Sequence, residues 1–416
     1  MHVSQLGLAL FLGGLWLTAG AAAPGVVETG ADASVSRFVQ AVAETNPRVQ
    51  AARSALEASG ARHDAASRPL YNPALSLDAE DTNVETTRTI GLSQTIDWAN
   101  KREARTAVAA SGQEVARAEY LGTRWAVMLD LLSGLAGYRT GVARDELAAE
   151  RMQLMNEFAS LGERRFEAGD LPQVELDVAR IAATDARIQK ATAAAALAEA
   201  RQSVRNLAPG SPPGEWPALG EELPALPPAA DPQQLVMALP AVQAVQAQVE
   251  VASSLVELRQ REKKPDPTFG IIGGKEDGET LVGLNVTIPL YVRNRFSHEV
   301  TAALAEETQA EQIASDVMRR AHARLVSATE RYQLVRGAWN DWQKTGRESL
   351  VRQAGQLRRM WEAGELSTTD YLVQVRQTLD VRENALELRQ SLWSAWFEWL
   401  DASGQVDGWL GLHPTL

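Results

Sequence analysis

Two proline-free stretches constrain this chain more than any other feature. No proline occurs in residues 74–171 or in residues 290–413, and both stretches are dense in Ala, Leu, Arg, Glu and Gln. Those residue types lose least on entering a helix, and without proline nothing in the covalent backbone interrupts one. Apolar side chains recur at spacings of three and four, as at Trp125, Met128, Leu129, Leu132 and Leu135, which marks one buried helical face. The pattern predicts helices at about 36–66, 99–168, 172–207, 235–262, 295–363 and 367–402. Two of these are roughly seventy residues long, on the order of 100 Å at 1.5 Å per residue. Such rods far exceed the ~12 residues usual in globular domains and must pack side by side as coiled coils. On the rods alone, a soluble or filamentous bundle fits equally well.

The rods come in pairs because the chain repeats itself, and a repeat has to be recognised before any fold is argued. Asn72-Pro73-Ala74-Leu75 matches Asp266-Pro267-Thr268-Phe269. Thr89-Ile90-Gly91-Leu92 matches Leu281-Val282-Gly283-Leu284, and Phe166-Glu167-Ala168-Gly169-Asp170-Leu171 matches Trp361-Glu362-Ala363-Gly364-Glu365-Leu366. The three segments keep one order at spacings of 192 to 195 residues, so the chain reads as a tandem duplication. The expected layout is a first repeat at 24–208, a connector at 209–234, a second repeat at 235–403 and a C-terminal tail at 404–416. Eight prolines within residues 209–232 forbid helix in the connector and favour an extended course. Ahead of the first repeat, an apolar run from Leu6 to Thr18 is followed by small residues. That is too short to span a bilayer and reads as a signal peptide over residues 1–23, cleaved near Ala21 to Ala23.

Each repeat also predicts one hairpin, with strands at about 74–81 and 86–98 in the first and 267–275 and 280–292 in the second. In the last of these, Val282, Leu284, Val286, Ile288 and Leu290 alternate with Leu281, Gly283, Asn285, Thr287 and Pro289. One face is apolar and the other small or polar, as in strands of a membrane barrel that meet lipid on one side and a lumen on the other. Turns are expected at about 81–85 and 275–279. Four strands cannot close, and open edges are not tolerated in hydrocarbon, so a barrel would be shared between chains. A dimer would supply eight strands and a trimer twelve; only the wider ring readily leaves an aqueous lumen.

Composition narrows the function. A formal net charge of −12 argues against a nucleic-acid groove, which needs an excess of Lys and Arg, and suits a cation-attracting surface. No cysteine is present, which excludes disulfides and thiolate metal sites. His2, His63, His298, His322 and His413 are scattered, and no Ser/His/Asp grouping, P-loop or dinucleotide fingerprint is visible, so no enzyme, cofactor or resident metal site is expected.

With these features in place the chain resembles the TolC-type outer-membrane efflux factors: exported and duplicated, with a hairpin beginning Asn/Asp-Pro, a very long helix, an Ala-Gly tip and a returning helix in each half. The segments Asn72-Pro73-Ala74-Leu75-Ser76-Leu77, Gly91-Leu92-Ser93-Gln94, Lys101-Arg102 and Ile288-Pro289-Leu290-Tyr291-Val292-Arg293-Asn294-Arg295 are similar to the CzcC-like branch, the outer-membrane part of cation efflux systems. The resemblance implies a mainly α chain with a small β part. Its long-helix hairpins would form a periplasmic α-barrel, and four strands per chain would build a trimeric twelve-stranded barrel in outer-membrane lipid. It implies an exit duct for an inner-membrane resistance-nodulation-division pump joined through a periplasmic adaptor, with divalent heavy-metal cations as cargo. Rival readings are a duct for drugs, organic solutes or a secreted polypeptide, and a pore-less periplasmic coiled-coil adaptor or scaffold.

The resemblance also singles out residues. At the helix tips, Arg164, Arg165, Phe166, Gly169, Leu171, Arg358, Arg359, Gly364 and Leu366 are candidates for docking an adaptor. Glu175, Asp177 and Asp370, just past the tips, are candidates for a ring of carboxylates at the aperture; the family's further acidic position is Val373 here. The bare residues allow a plainer account, in which acids in a first helical turn favour the helix dipole. Pro172 is expected at a first helical position and Ser367 as an N-cap. Trp98 and Tyr291, at the ends of the strands, are candidates for an interfacial aromatic girdle, whereas Trp393, Trp396, Phe397 and Trp399, with Trp409, suit packing between rods.

Overall fold

A computed structural model describes residues 30–81, 85–220, 222–227, 231–363 and 365–412; the expected signal peptide lies outside them. In the first repeat, α1 (Ala33–Thr45) and α2 (Pro47–Ser67) lead to β1 (Ala74–Asp81), β2 (Thr86–Thr95), the long α3 (Lys101–Glu167) and its return α4 (Gln173–Leu207). The second repeat gives α5 (Pro232–Met237), α6 (Pro240–Glu262), β3 (Thr268–Glu276), β4 (Glu279–Thr287), α7 (Ser297–Asp341), α8 (Arg347–Glu362) and α9 (Thr368–Ser403). A short α10 (Val406–Leu410) follows. No described helix is long and apolar enough to cross a membrane.

Three expected helices are divided. The first breaks at Asn46, whose side chain accepts from the Arg48 N–H at 2.9 Å while Pro47 begins the new helix. Pro240 likewise splits the fourth, because a proline inside a helix removes a donor and clashes with the preceding turn. The second long rod contains no proline, yet a π-turn, Trp342–Gly346, separates α7 from α8. A Cβ on Gly346 would lie 2.3 Å from the Trp342 ring, so only glycine lets the indole lie against the backbone there.

The strands form one antiparallel sheet in the order β1-β2-β3-β4. The two hairpins are joined because β2 pairs with β3 from Thr87↔Glu276 to Thr95↔Thr268. The strands are shorter than expected. β2 ends before Asp97, which turns to accept from the Lys101 and Arg102 N–H groups at 2.9 and 2.7 Å; β4 ends before Pro289, which has no N–H for a ladder. Its turn is tighter than expected as well: Asp277 and Gly278 both take positive φ, 51° and 85°, the two-residue hairpin turn that matches strand twist.

Register aligns the apolar residues across the whole sheet. Leu75, Leu92, Ile271 and Leu284 form one cross-strand row, and Leu77, Ile90, Gly273 and Val282 the next. These side chains are exposed, Leu284 at 85%. The opposite face carries Ser76, Asp78, Glu80, Thr87, Thr89, Ser93, Glu276, Glu279 and Asn285. One face of the sheet therefore leaves a continuous apolar surface without a partner in the chain.

The core lies where the rods cross between sheet and tips. Trp396 and Tyr332 are completely buried, beside Met128, Leu131, Leu132 and Leu135 of α3 and Val35 and Val39 of α1. Trp393, Phe397, Trp399 and Trp409 join them, so the C-terminal aromatics pack between helices. Each such side chain contributes roughly 1.5–3 kcal/mol of burial. Residues 405–412 pack back on the rods: Asp407 of α10 accepts from Arg124 at 2.9 Å and from the Trp125 indole at 2.8 Å. The connector is pinned through buried Trp216, edge-on to Tyr138, and through the Pro224 carbonyl, which accepts from the Tyr332 hydroxyl at 2.7 Å. Burial raises the Tyr332 pKa.

Candidate functional site

The first tip is built by backbone geometry. Gly169 takes φ 80°, which a Cβ disfavours; its N–H bonds to the Phe166 carbonyl at 3.0 Å and the Asp170 N–H to the Arg165 carbonyl at 2.9 Å. These two bonds are the Schellman closure of a helix end. The second tip repeats the outer bond, Glu365 N–H to the Met360 carbonyl at 2.9 Å. Gly364 and the Arg358 side chain lie outside the described residues.

Arg164, Arg165 and Phe166 are exposed at this end, as is Arg359, whose Nε bonds the Gly355 carbonyl. Leu171 differs from them: it is buried, near Gly162, and Leu366 is half-buried against the distal core. Leu171 is thus covered within its own hairpin, while Leu366 is partly covered by the distal core. Pro172 also departs from expectation. With φ −73° and ψ 152° it is the extended N-cap, and the helix starts at Gln173.

Glu175 and Asp370 occupy the third position of α4 and α9 respectively, the same place in each repeat. Ser367 caps α9, accepting from the Asp370 N–H at 3.1 Å, and its hydroxyl donates to Asp370 Oδ2 at 2.6 Å. Asp177 accepts from Gln173 at 2.8 Å. Asp370 and Asp177 are exposed, Glu175 is half-buried, and Val373 is 60% exposed. No ion pair among the described residues involves Glu175, Asp177 or Asp370. Among the described residues no three His, Asp or Glu side chains come together as metal ligands. At the other end of the rods, Trp98 is 59% exposed, while Tyr291 is half-buried and edge-on to Phe296.

Two features escape sequence reasoning. Above the tips, α9 is held to the first repeat by ion pairs: Arg151 with Asp380, Arg382 with Glu150 at 2.7 Å, Arg144 with Glu387 at 2.8 Å and Arg376 with Asp185 at 3.9 Å. A cleft of about 710 Å³ between α3, α9 and the π-turn, lined by Glu150, Trp339, Trp342, Arg382 and Arg389, lies alongside. Below the sheet, buried Lys101 reaches Asp266 at 2.9 Å and the Lys264 carbonyl at 2.6 Å, while Tyr71 donates to Asp266 at 2.7 Å. Burial, then that hydrogen bond, pushes the Tyr71 hydroxyl up to about 12. Partners well over a hundred residues apart leave no local signal.

Comparisons with known proteins agree with this architecture. Residues 38–210, most of the first repeat and the start of the connector, match the outer membrane efflux protein family. The cobalt-zinc-cadmium resistance protein CzcC of Cupriavidus metallidurans is 28% identical over 259 residues, 60% of this chain. The match spans 62% of that relative's length. A membrane protein from Pseudomonas aeruginosa shares the fold with a TM-score of 0.77 at 15% identity, covering 93% of this chain and 98% of the other. The Campylobacter jejuni CmeC outer membrane channel gives 0.75 at 14% identity, covering 97% and 93%. At these identities the likeness is one of fold, and it extends through both repeats.

Proposed function

We propose that this chain, which belongs to the outer membrane efflux protein family through residues 38–210 and shares the fold of an outer membrane channel along its length, is the trimeric outer-membrane exit duct of a tripartite efflux system for divalent heavy-metal cations. The observation that carries the reading is the sheet. Its apolar face is exposed row after row, and β1 and β4 end it with unpaired edges. Unpaired edges beside an apolar face are satisfied in lipid only by the β4 and β1 edges of sister copies. Three copies give twelve strands, with repeats 24–208 and 235–403 supplying two each. A pore-less scaffold has no use for such a face.

Cation cargo is favoured by charge. On the polar face, which would line the lumen, Asp78, Glu80, Glu276 and Glu279 are the charged residues, all acidic. Glu175, Asp177 and Asp370 would form a second acidic zone at the periplasmic aperture, where repetition around the axis raises cation occupancy. The likeness to a cobalt-zinc-cadmium resistance protein supports the same cargo. The exposed tip residues Arg164, Arg165, Phe166 and Arg359, with Gly169 and Gly364 setting the turns, would meet a periplasmic adaptor leading to a resistance-nodulation-division pump. Trp98 and Tyr291 would mark the inner border of the lipid. No catalytic step is assigned to the duct; the pump supplies the energy.

Detergent extraction of outer membranes should give a heat-labile species of three times the chain mass, cation-selective in planar bilayers. Replacing Glu175 and Asp370 together by Ala should lower that selectivity. A buffer-soluble monomer overturns the channel; a trimer with unchanged selectivity removes the two acids from the pore.

A further inference from the structure

The apolar face of the sheet ends abruptly in a positive charge. One row beyond Leu77, Ile90, Gly273 and Val282, on the same face and nearer the hairpin turns, lie Ala79, Arg88, Lys275 and Thr280. Arg88 and Lys275 are direct cross-strand partners, both exposed. Like charges placed opposite each other destabilise a sheet, and neither residue makes an ion pair among the described residues. Asp81, a row nearer the tip, instead accepts from the Thr86 hydroxyl at 2.9 Å. The sheet's two bases project from the apolar face, with Asp81 one row beyond them on that face, while Asp78, Glu80, Glu276 and Glu279 project from the other.

We propose that Arg88 and Lys275 bind the phosphate of an anionic lipid headgroup in the outer leaflet, with the Thr280 hydroxyl as a third donor. The inference rests on the channel reading, which turns this face to lipid and puts the hairpin turns at the cell exterior. Along a strand tilted by about 40°, the ladder from Thr95 to Arg88 rises about 18 Å, most of an apolar band about 25 Å tall, which leaves the pair near the far headgroup level. Cross-strand neighbours about 5 Å apart allow a guanidinium fork and an ammonium to converge on one phosphate. The same contact neutralises the repulsion between them.

The test uses the full-length chain, purified in detergent and incubated with bisphosphorylated lipid A or its dephosphorylated counterpart, with retained lipid counted by native mass spectrometry. The unaltered chain should retain the bisphosphorylated form preferentially. Arg88→Gln with Lys275→Gln should reduce that retention roughly ten- to thirty-fold, while Arg88→Lys with Lys275→Arg keeps it. Equal retention by the Gln pair overturns the site, as does displacement of the lipid by millimolar inorganic phosphate, which identifies a free-anion site instead. Insertion and conductance are measured on the same samples. A conducting trimer without phosphate preference defeats the headgroup site alone, whereas a chain that never enters bilayers defeats the channel reading and the site together.

Discussion

The two ends of the rods hold the repeats together by different physics. At the sheet end, β2 pairs with β3, and the buried Lys101–Asp266 contact, braced by Tyr71, joins the entrance of α3 to the segment before β3. At the tip end, α9 meets α3 and α4 through ion pairs in each of which one partner is more than half exposed. Burial makes the first junction hard to undo, because a lone charge left in the interior is costly. Exposure makes the second weak and sensitive to salt. The π-turn between α7 and α8 falls at the soft end, beside the cleft, where such turns accommodate movement. In the proposed duct, this division would keep the membrane end sealed while the periplasmic mouth opens.

The contrast can be broken most sharply at Asp266. Asp266→Ala strands Lys101 and should cost about 3–5 kcal/mol in thermal unfolding, independently of salt; a cost below about 1 kcal/mol would make the sheet end no firmer than the tips. Gly346→Ala comes next, since its methyl group meets the Trp342 ring. Displacing the ring should cost about 1–3 kcal/mol, with faster hydrogen exchange confined to residues around the π-turn; exchange spread over α3 would contradict a local joint. Arg151→Ala with Arg382→Ala should cost about 1–2 kcal/mol and raise single-channel conductance, an effect that 0.5 M salt should largely reproduce in the unaltered protein. If conductance is unchanged, these pairs do not restrain the aperture.

The smallest effect concerns Tyr71. Burial and the hydrogen bond to Asp266 push its hydroxyl from the ordinary tyrosine range up to about 12, so its contribution is complete below about pH 10 and fades as pH climbs towards 12. Tyr71→Phe should remove that alkaline sensitivity and cost about 1 kcal/mol at pH 7, because buried Asp266 loses a donor. A sloping region that persists in the variant assigns it to another group.

What could be read from sequence was whatever is written locally and periodically. The alternation around Val282–Leu284–Val286 exposed the strands, and Ala168-Gly169 exposed the tip. The spacing of Trp393, Trp396 and Trp399 placed them in the core. Pro47 and Pro240 are equally local signals, masked by the longer apolar patterns that run through them, and Asp277-Gly278 is the signature of a tighter turn than the spacing predicts. The rest depends on distance. Arg151 and Asp380 are ordinary surface residue types, made partners only by the superposition of two hairpins. The Trp342–Gly346 π-turn likewise reflects how one indole packs. The docking and aperture residues rest on resemblance; in the structure Leu171 is buried and Leu366 packs against the distal core.

The seam where β2 meets β3 has a bearing on ancestry. It joins the end of one hairpin to the start of the next, the same relation that β4 of one copy would have to β1 of its neighbour in a closed ring. Three of the six seams around such a ring would thus be internal to a polypeptide and three external. Six half-length chains, each a hairpin on a pair of rods, could close the same circle, and fusing them in twos would halve the number of encounters needed to finish it.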